Sequence, residues 1–124
     1  MSQQVLQKYI NSCTLTFKAF EHEVNVSKNR ANLWHFTSIS HRQEKKYMVY
    51  CAPNLAKVKS LIKVALKKLP KGTRLVVVCK EYSDDDYSDA LEMGYCLVTM
   101  GTLRQYGSQM LEISSGSDSL PQTA

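Results

Sequence analysis

Lysines are the residues of this sequence whose spacing most clearly suggests a chemical role. Six of them fall within fifteen positions that contain no acidic residue: Lys57, Lys59, Lys63, Lys67, Lys68 and Lys71. Surface helices ordinarily mix the two signs of charge and gain ion pairs between residues three or four positions apart. A run without such pairs suits a phosphate backbone, because each lysine contact releases counterions from the nucleic acid. The run therefore predicts nucleic-acid binding.

The charges of the whole chain are segregated in the same sense. The net charge is +5, yet residues 28–80 hold thirteen Lys or Arg and one acid, whereas residues 81–124 hold eight acids and one Arg. Such a block predicts a surface that binds a polyanion. Three further residues of the basic block, Arg42, Lys45 and Lys46, join the lysine run in the predicted nucleic-acid site. Because lysine meets phosphate as a point charge, the prediction is of backbone contact without reading of bases.

Two other interpretations of the lysines stay open. They could form a solvated face that keeps the protein in solution. They could instead dock against acid, so that a basic helix over 55–69 meets an acidic helix over 84–93 of a second copy or of a protein partner, giving a homodimer or a hetero-complex. Trp34 lies near these basic residues and could stack on a single-stranded base, but the hydrophobic core is the expected place for it.

The remaining reactive residues form no motif. The acids Asp84, Asp85, Asp86 and Asp89 lack the spacing and the glycine of a calcium loop, and the dipole of a predicted helix explains their place in its first turn. The four cysteines include no CxxC pair, and three lie in apolar runs, which predicts buried free thiols and a reducing, cytoplasmic location. No run approaches the ~18 apolar residues of a membrane span. No catalytic residue, metal or cofactor is predicted.

The elements that must position these residues follow from periodicity and turn signals. Helices are predicted over 3–20, 55–69 and 84–93, with a short one from 103, and strands over 23–27, 33–39, 46–52, 73–79 and 95–100. Asn54 and Ser83 are predicted N-caps, and Asp86 completes a capping box. The order α-β-β-β-α-β-α-β predicts an α/β fold, a mixed central sheet with helices on both faces. Residues 1–113 form the one predicted domain, and the polar tail 114–124 is expected to be disordered.

The strand Leu75–Cys79, the acid-capped helix Ser83–Glu92, the strand Gly94–Thr99 and the trailing Leu103 follow one another at short distances. This succession, within an order of elements that extends over roughly residues 5–106, resembles the restriction-endonuclease-like, or PD-(D/E)xK, fold of DNA-cleaving and junction-resolving enzymes. The resemblance implies a DNA-binding surface, and DNA rather than RNA as the partner.

The resemblance also implies a metal site that this sequence does not carry. Enzymes of that fold place an Asp at the start of the second core strand and Glu-x-Lys or Asp-x-Lys on the third, so that two carboxylates hold a divalent metal. The corresponding segments here, Leu33–His35 and Val49–Ala52, contain no carboxylate, and Glu21 or Glu23 could supply only one. The expectation is a degenerate member that binds without cutting. A metal-dependent nuclease with relocated ligands is the remaining catalytic alternative.

Overall fold

The computed structural model describes residues 3–26, 34–41 and 44–105 of an α/β protein. Its elements are α1 (Gln3–Ala19), β1 (Glu23–Val26), β2 (Phe36–Ser40), β3 (Lys45–Ala52), a 3-10 turn (Leu55–Val58), α2 (Lys59–Lys67), β4 (Thr73–Cys79), α3 (Asp84–Met93), β5 (Cys96–Thr99) and a helical segment, α4, over 100–105. The predicted order of helices and strands is confirmed. The predicted site residue Arg42 and the predicted tail 114–124 lie outside the described residues.

The five strands form one mixed sheet in the order β1-β2-β3-β4-β5. The pairs β1–β2 and β2–β3 are antiparallel, and the pairs β3–β4 and β4–β5 are parallel. We call the edge at which β3 and β4 begin, near Lys45 and Thr73, the amino edge, and the edge at which they end, near Ala52 and Cys79, the carboxyl edge. In β3 and β4 every residue from the third onward is buried, as expected of central strands covered on both faces.

Each face of the sheet has its own core. On one face α1 contributes Cys13 and Phe17, which pack with alternate strand residues such as Val49 and Val76 and with Leu103 of α4. On the other face α2 and α3 pack on the intervening strand residues. The buried members of this second core are Met48, Tyr50, Ala52, Leu55, Ile62, Ala65, Leu75, Val77, Cys79, Ala90, Tyr95 and Leu97. The predicted placement of helices on both faces is therefore confirmed. No helix in the described parts of the chain is both long and apolar enough to cross a membrane.

The ends of α3 follow the sequence prediction closely. The Ser83 side chain accepts a hydrogen bond from the Asp86 backbone N–H at 3.1 Å, and the Asp86 carboxylate accepts one from the Ser83 N–H at 3.0 Å. Gly94 ends the helix with a φ of 90°, a left-handed conformation that costs glycine little because it has no Cβ. The predicted capping box and stop signal are both confirmed.

The start of the lysine-rich helix was predicted wrongly. Residues 55–58 form a 3-10 turn, α2 proper begins at Lys59, and the side chain of Asn54 makes no capping hydrogen bond. In the 3-10 turn the Lys57 N–H donates to the Asn54 carbonyl at 3.3 Å, so the backbone satisfies this donor locally. The α-helix also ends two residues earlier than predicted, with Lys68 as its cap.

The starts of β2 and β5 lie later than predicted. The strand β2 begins at Phe36, so Trp34 and His35 precede it, although the His35 N–H still donates to the Val49 carbonyl at 2.8 Å. The strand β5 begins after Tyr95, whose N–H donates to the Ala90 carbonyl at 3.0 Å. Tyr95 is held by the end of α3 instead of the sheet, and its apolar character alone gave no sign of this.

Candidate nucleic-acid interface

The helix α2 runs from the carboxyl edge to the amino edge, because it joins the end of β3 to the start of β4. Its lysines are therefore spread along the molecule and are not gathered at one place. Lys57 lies in the 3-10 turn near the carboxyl edge, Lys63 lies midway, and Lys67 and Lys68 lie at the amino edge. Lys71 follows in the connection to β4, two residues before Thr73.

Two lysines from a different part of the sequence meet this group at the amino edge. Lys45 and Lys46 open β3, and Lys46 is the register partner of Thr73 in β4. Neighbouring strands are ~4.8 Å apart, so the start of β3 lies directly beside the connection that carries Lys71. We call the resulting group the basic edge. It consists of Lys45, Lys46, Lys67, Lys68, Lys71 and Arg74, all exposed except Lys45, which is half-buried.

Arg74 is the member of the basic edge that was not predicted from sequence. It is the second residue of β4 and the register partner of Tyr47. Side chains alternate between the two faces of a strand, so Arg74 and Lys45 lie toward the α1 face, whereas Lys46 lies toward the α2 face. The basic edge thus wraps around the rim of the sheet. The sequence does not reveal this position, because Arg74 lies in the apolar run of β4 and its place at the edge follows from the strand pairing.

Lys59 belongs to the predicted site but forms an ion pair with α3. Its amine donates to the carboxylate of Asp86 on α3 and lies 3.7 Å from a carboxylate oxygen of Asp89. The hydrogen bond with Asp86, with help from the charges of Asp86 and Asp89, raises the pKa of Lys59. The same contact and the backbone hydrogen bond from Ser83 lower the pKa of Asp86. Lys59 joins two helices and is a poor candidate for phosphate contact.

The carboxyl edge has the opposite character. Glu81, Asp84 and Asp85 are exposed there, at the start of α3 and in the loop before it. Beside them opens a cavity of about 610 Å³. It is lined by Pro53, Asn54, Leu55, Ala56, Lys80, Glu81, Tyr82, Ser83 and Asp86. Exposed acids at the start of α3 thus lie at the carboxyl edge, together with Lys57 and Lys80, whereas the basic edge lies at the amino edge.

Residues 34–35 and the end of β3, where the resemblance leads one to expect metal-binding carboxylates, are neighbours in space at the carboxyl edge. The Cys51 N–H donates to Nδ1 of His35 at 2.8 Å, and the His35 ring meets the ring of Tyr50 edge-on at 4.9 Å. Burial lowers the pKa of His35, so the ring is neutral at pH 7, with Nδ1 accepting and Nε2 carrying the proton. This imidazole supports the backbone of β3.

Trp34 packs, half-buried, against the α2-side core, as the core interpretation expected. Glu23, which could supply one carboxylate of a metal site, lies at the other end of the sheet, the amino edge, because it pairs with Ile39 of β2. Over the described residues 3–26, 34–41 and 44–105, no three His, Cys, Asp or Glu side chains are grouped closely enough to share a metal ion.

The remaining histidines tie β1 to β2 at the amino edge. Nδ1 of His22 shares a hydrogen bond of 2.8 Å with the hydroxyl of buried Ser38, and its ring stacks on Tyr47 at 5.7 Å. Burial lowers the pKa of His22. His41 contacts the Glu23 carboxylate at 2.6 Å, and that hydrogen bond lowers the pKa of Glu23. The sequence gives no sign of the His22–Ser38 and His41–Glu23 contacts, because the two residues of each contact are 16 and 18 positions apart.

Comparison with known proteins gives no match to a family model, to a curated protein or to a solved structure.

Proposed function

We propose that this protein is a non-catalytic nucleic-acid-binding domain that holds a phosphate backbone against its basic edge. The observation that carries the proposal is the meeting of lysines from two separated stretches of sequence, residues 45–46 and 67–71, with Arg74 at one edge of the sheet. Charges gathered on one edge can contact several phosphates at once, and each contact adds counterion release to the binding free energy.

Helix energetics alone do not account for this grouping. Lys67 and Lys68 lie at the carboxyl end of α2, where positive charge is stabilised by the helix dipole. That reason does not apply to Lys46, which opens a strand, or to Lys71, which lies in a connection. Gathering like charges costs Coulomb energy in the free protein, and a polyanion would relieve it. The exposed acids at the carboxyl edge would repel phosphates, so binding at the amino edge is favoured.

We further propose that the domain is a degenerate member of the restriction-endonuclease-like fold and that its ligand is DNA. The observed order of helices and strands, on which the resemblance rests, supports this assignment. At the positions that correspond to the metal-binding carboxylates, the chain has Trp34, His35, Cys51 and Ala52. Their roles are packing and a backbone hydrogen bond, so the proposal is of binding without cleavage. A cytoplasmic location forms part of the proposal, since Cys13, Cys51, Cys79 and Cys96 are free thiols.

The proposal is tested by measuring the affinity for a fluorescent 20-base-pair duplex by anisotropy between 50 and 300 mM salt. Contact by four or five basic residues predicts a slope of log K against log salt of about −4, since each phosphate neutralised contributes about −0.9. A scrambled duplex of equal length should bind equally well, because lysine contacts read no bases. Absent binding, or an affinity that salt does not change, would contradict the proposal. Cleavage of plasmid with magnesium, abolished by EDTA, would contradict its non-catalytic part.

A further inference from the structure

Two helices expose large apolar side chains that the core does not use. On α2, Leu61 and Val64 are 46% and 41% exposed, and on α3, Tyr87 and Leu91 are 44% and 60% exposed. On each helix the two residues are three or four positions apart, so they lie next to each other on one side. Tyr82 stacks on Tyr87 with ring centres 5.9 Å apart and enlarges the α3 pair.

The Lys59–Asp86 ion pair fixes the directions in which these pairs lie. It marks the sides on which α2 and α3 face each other. At about 100° per residue, Leu61 and Val64 lie roughly 140–160° around α2 from Lys59. Asp89 is the second acid of α3 near Lys59. Tyr87 and Leu91 lie at a similar angle from it around α3, so they too lie away from the other helix. The two apolar pairs therefore lie on opposite flanks of the two-helix layer.

The flanking charges of the two apolar pairs are complementary. One stripe consists of Leu61 and Val64 on α2, preceded by Lys57 of the 3-10 turn and followed by Lys68, the cap of the helix. We call it the α2 stripe. On α3 the positions 84, 87 and 91 form a second stripe, in which Asp84 precedes Tyr87 and Leu91. We call it the α3 stripe. Opposite charges around matching apolar pairs favour contact and set its direction.

The α2 stripe lies at one side of the two-helix layer. The helices α2 and α3 are joined to β3, β4 and β5, and over the described residues no third helix lies beside them on this face, above β1 and β2. There Thr37 and Ile39 remain half-buried. Helices pack 8–10 Å apart, about two strand spacings, and on this half of the face the described residues include Trp34 but no helix.

We propose that the chain associates with itself head to tail, with the α3 stripe of one copy docked on the α2 stripe of the next. The α3 stripe fits this place because it adds a second apolar pair and a negative charge that complements the lysines of the α2 stripe. The two surfaces of such a contact are different, so it is heterologous and extends into a chain or closes into a ring. This inference is independent of the proposed nucleic-acid function.

Two variants, each lacking one stripe, test the proposal. The variant L61Q/V64Q loses the α2 stripe, and the variant Y87Q/L91Q loses the α3 stripe. Both change exposed positions and keep every charge, so circular dichroism should show native folding and DNA binding should stay within about threefold of wild type. The exposed Leu15 of α1 supplies the control variant L15Q, which should associate as wild type does.

Light scattering at 0.05–1 mM protein and low salt gives the result. Wild type should exceed its monomer mass of 14.1 kDa, and each variant alone should remain monomeric. An equimolar mixture should form a dimer of the two variants and nothing larger, because the mixture has one intact stripe of each kind per pair. A wild type that stays monomeric at 1 mM, a variant that still associates, or a mixture that stays monomeric would each overturn the proposal.

Discussion

The amine of Lys59 donates to the Asp86 carboxylate, so a lysine of the basic run is bound to the acid that completes the capping box of α3. The Asp86 side chain thus caps α3 and also links it to α2, since it accepts from the Ser83 N–H at 3.0 Å as well. The contact joins two helices that each connect parallel strands. It also removes Lys59 from the charges that a phosphate backbone could use.

Replacing Asp86 by Ala should destabilise the protein by about 1–2 kcal/mol, because the change removes one half of the capping box and the partner of Lys59. Asp85 stands next to it in the same first turn but is exposed and has no capping role, so D85A should cost at most about 0.5–1 kcal/mol through the helix dipole. Urea unfolding of the two variants measures both free energies. Equal losses would mean that the capping contact contributes nothing beyond charge.

The Asp86 contact also predicts a pH dependence. Because the pKa of Asp86 is lowered in the folded protein, its stabilisation is complete above the ordinary Asp value and is lost as the pH falls through the lowered value. The wild type should therefore lose more unfolding free energy than D86A between pH 5 and pH 2. Parallel stability curves for the two proteins over that range would exclude the contribution.

His22 and His35 predict a second loss of stability at a higher pH. Burial lowers the pKa of both rings in the folded state, so the unfolded chain binds protons first as the pH falls below about 6.5. The free energy of unfolding should therefore be highest above about pH 7 and should decline as the pH falls from 7 to 5. In the variant H35Q that decline should be smaller, although its stability at pH 7 is lower because the bond to the Cys51 N–H is weakened.

The variant G94A should lose about 1–2 kcal/mol of stability. Gly94 has a φ of 90°, and a Cβ in a left-handed conformation costs about that much. Gly101 gives the matched control, since it lies in the helical segment 100–105 and a Cβ there meets no atom within 4 Å. G101A should instead stabilise by about 0.5–1 kcal/mol, because alanine is the better helix former. Thermal unfolding checks both, and a loss in G101A as large as that in G94A would refute the assignment.

The architecture was predictable because its signals are local. The apolar run of β4, the capping box of α3 and the glycine at position 94 each specify an element within a few residues. The corrections concern contacts between distant residues. The Asn54 side chain does not cap the helix that follows it, and Tyr95 bonds to Ala90 instead of joining the strand.

The candidate site was predictable only in part for the same reason. Sequence indicated which residues are basic but not where they meet. Helix geometry carries Lys57 and Lys67 toward opposite edges of the sheet, and a cross-strand register brings Lys46 beside the start of β4. The contact between Lys59 and Asp86 carries no sequence signal, because the two residues are 27 positions apart. Arg74 was overlooked because its position at the edge follows from the strand pairing.

The most direct test of the central claim compares two variants with the same change in net charge. K46E/K67E/K71E reverses three exposed residues of the basic edge, whereas K8E/K57E/K63E reverses three exposed lysines elsewhere. Affinity for a 20-base-pair duplex at 100 mM salt is measured by anisotropy, and the unfolding temperature of each variant is measured alongside. The basic-edge variant should bind at least ~100-fold more weakly than wild type, because three phosphate contacts are lost. The control variant should lose less than about fivefold. Equal losses in the two would show that only net charge matters, and unchanged binding by the basic-edge variant would contradict the claim outright.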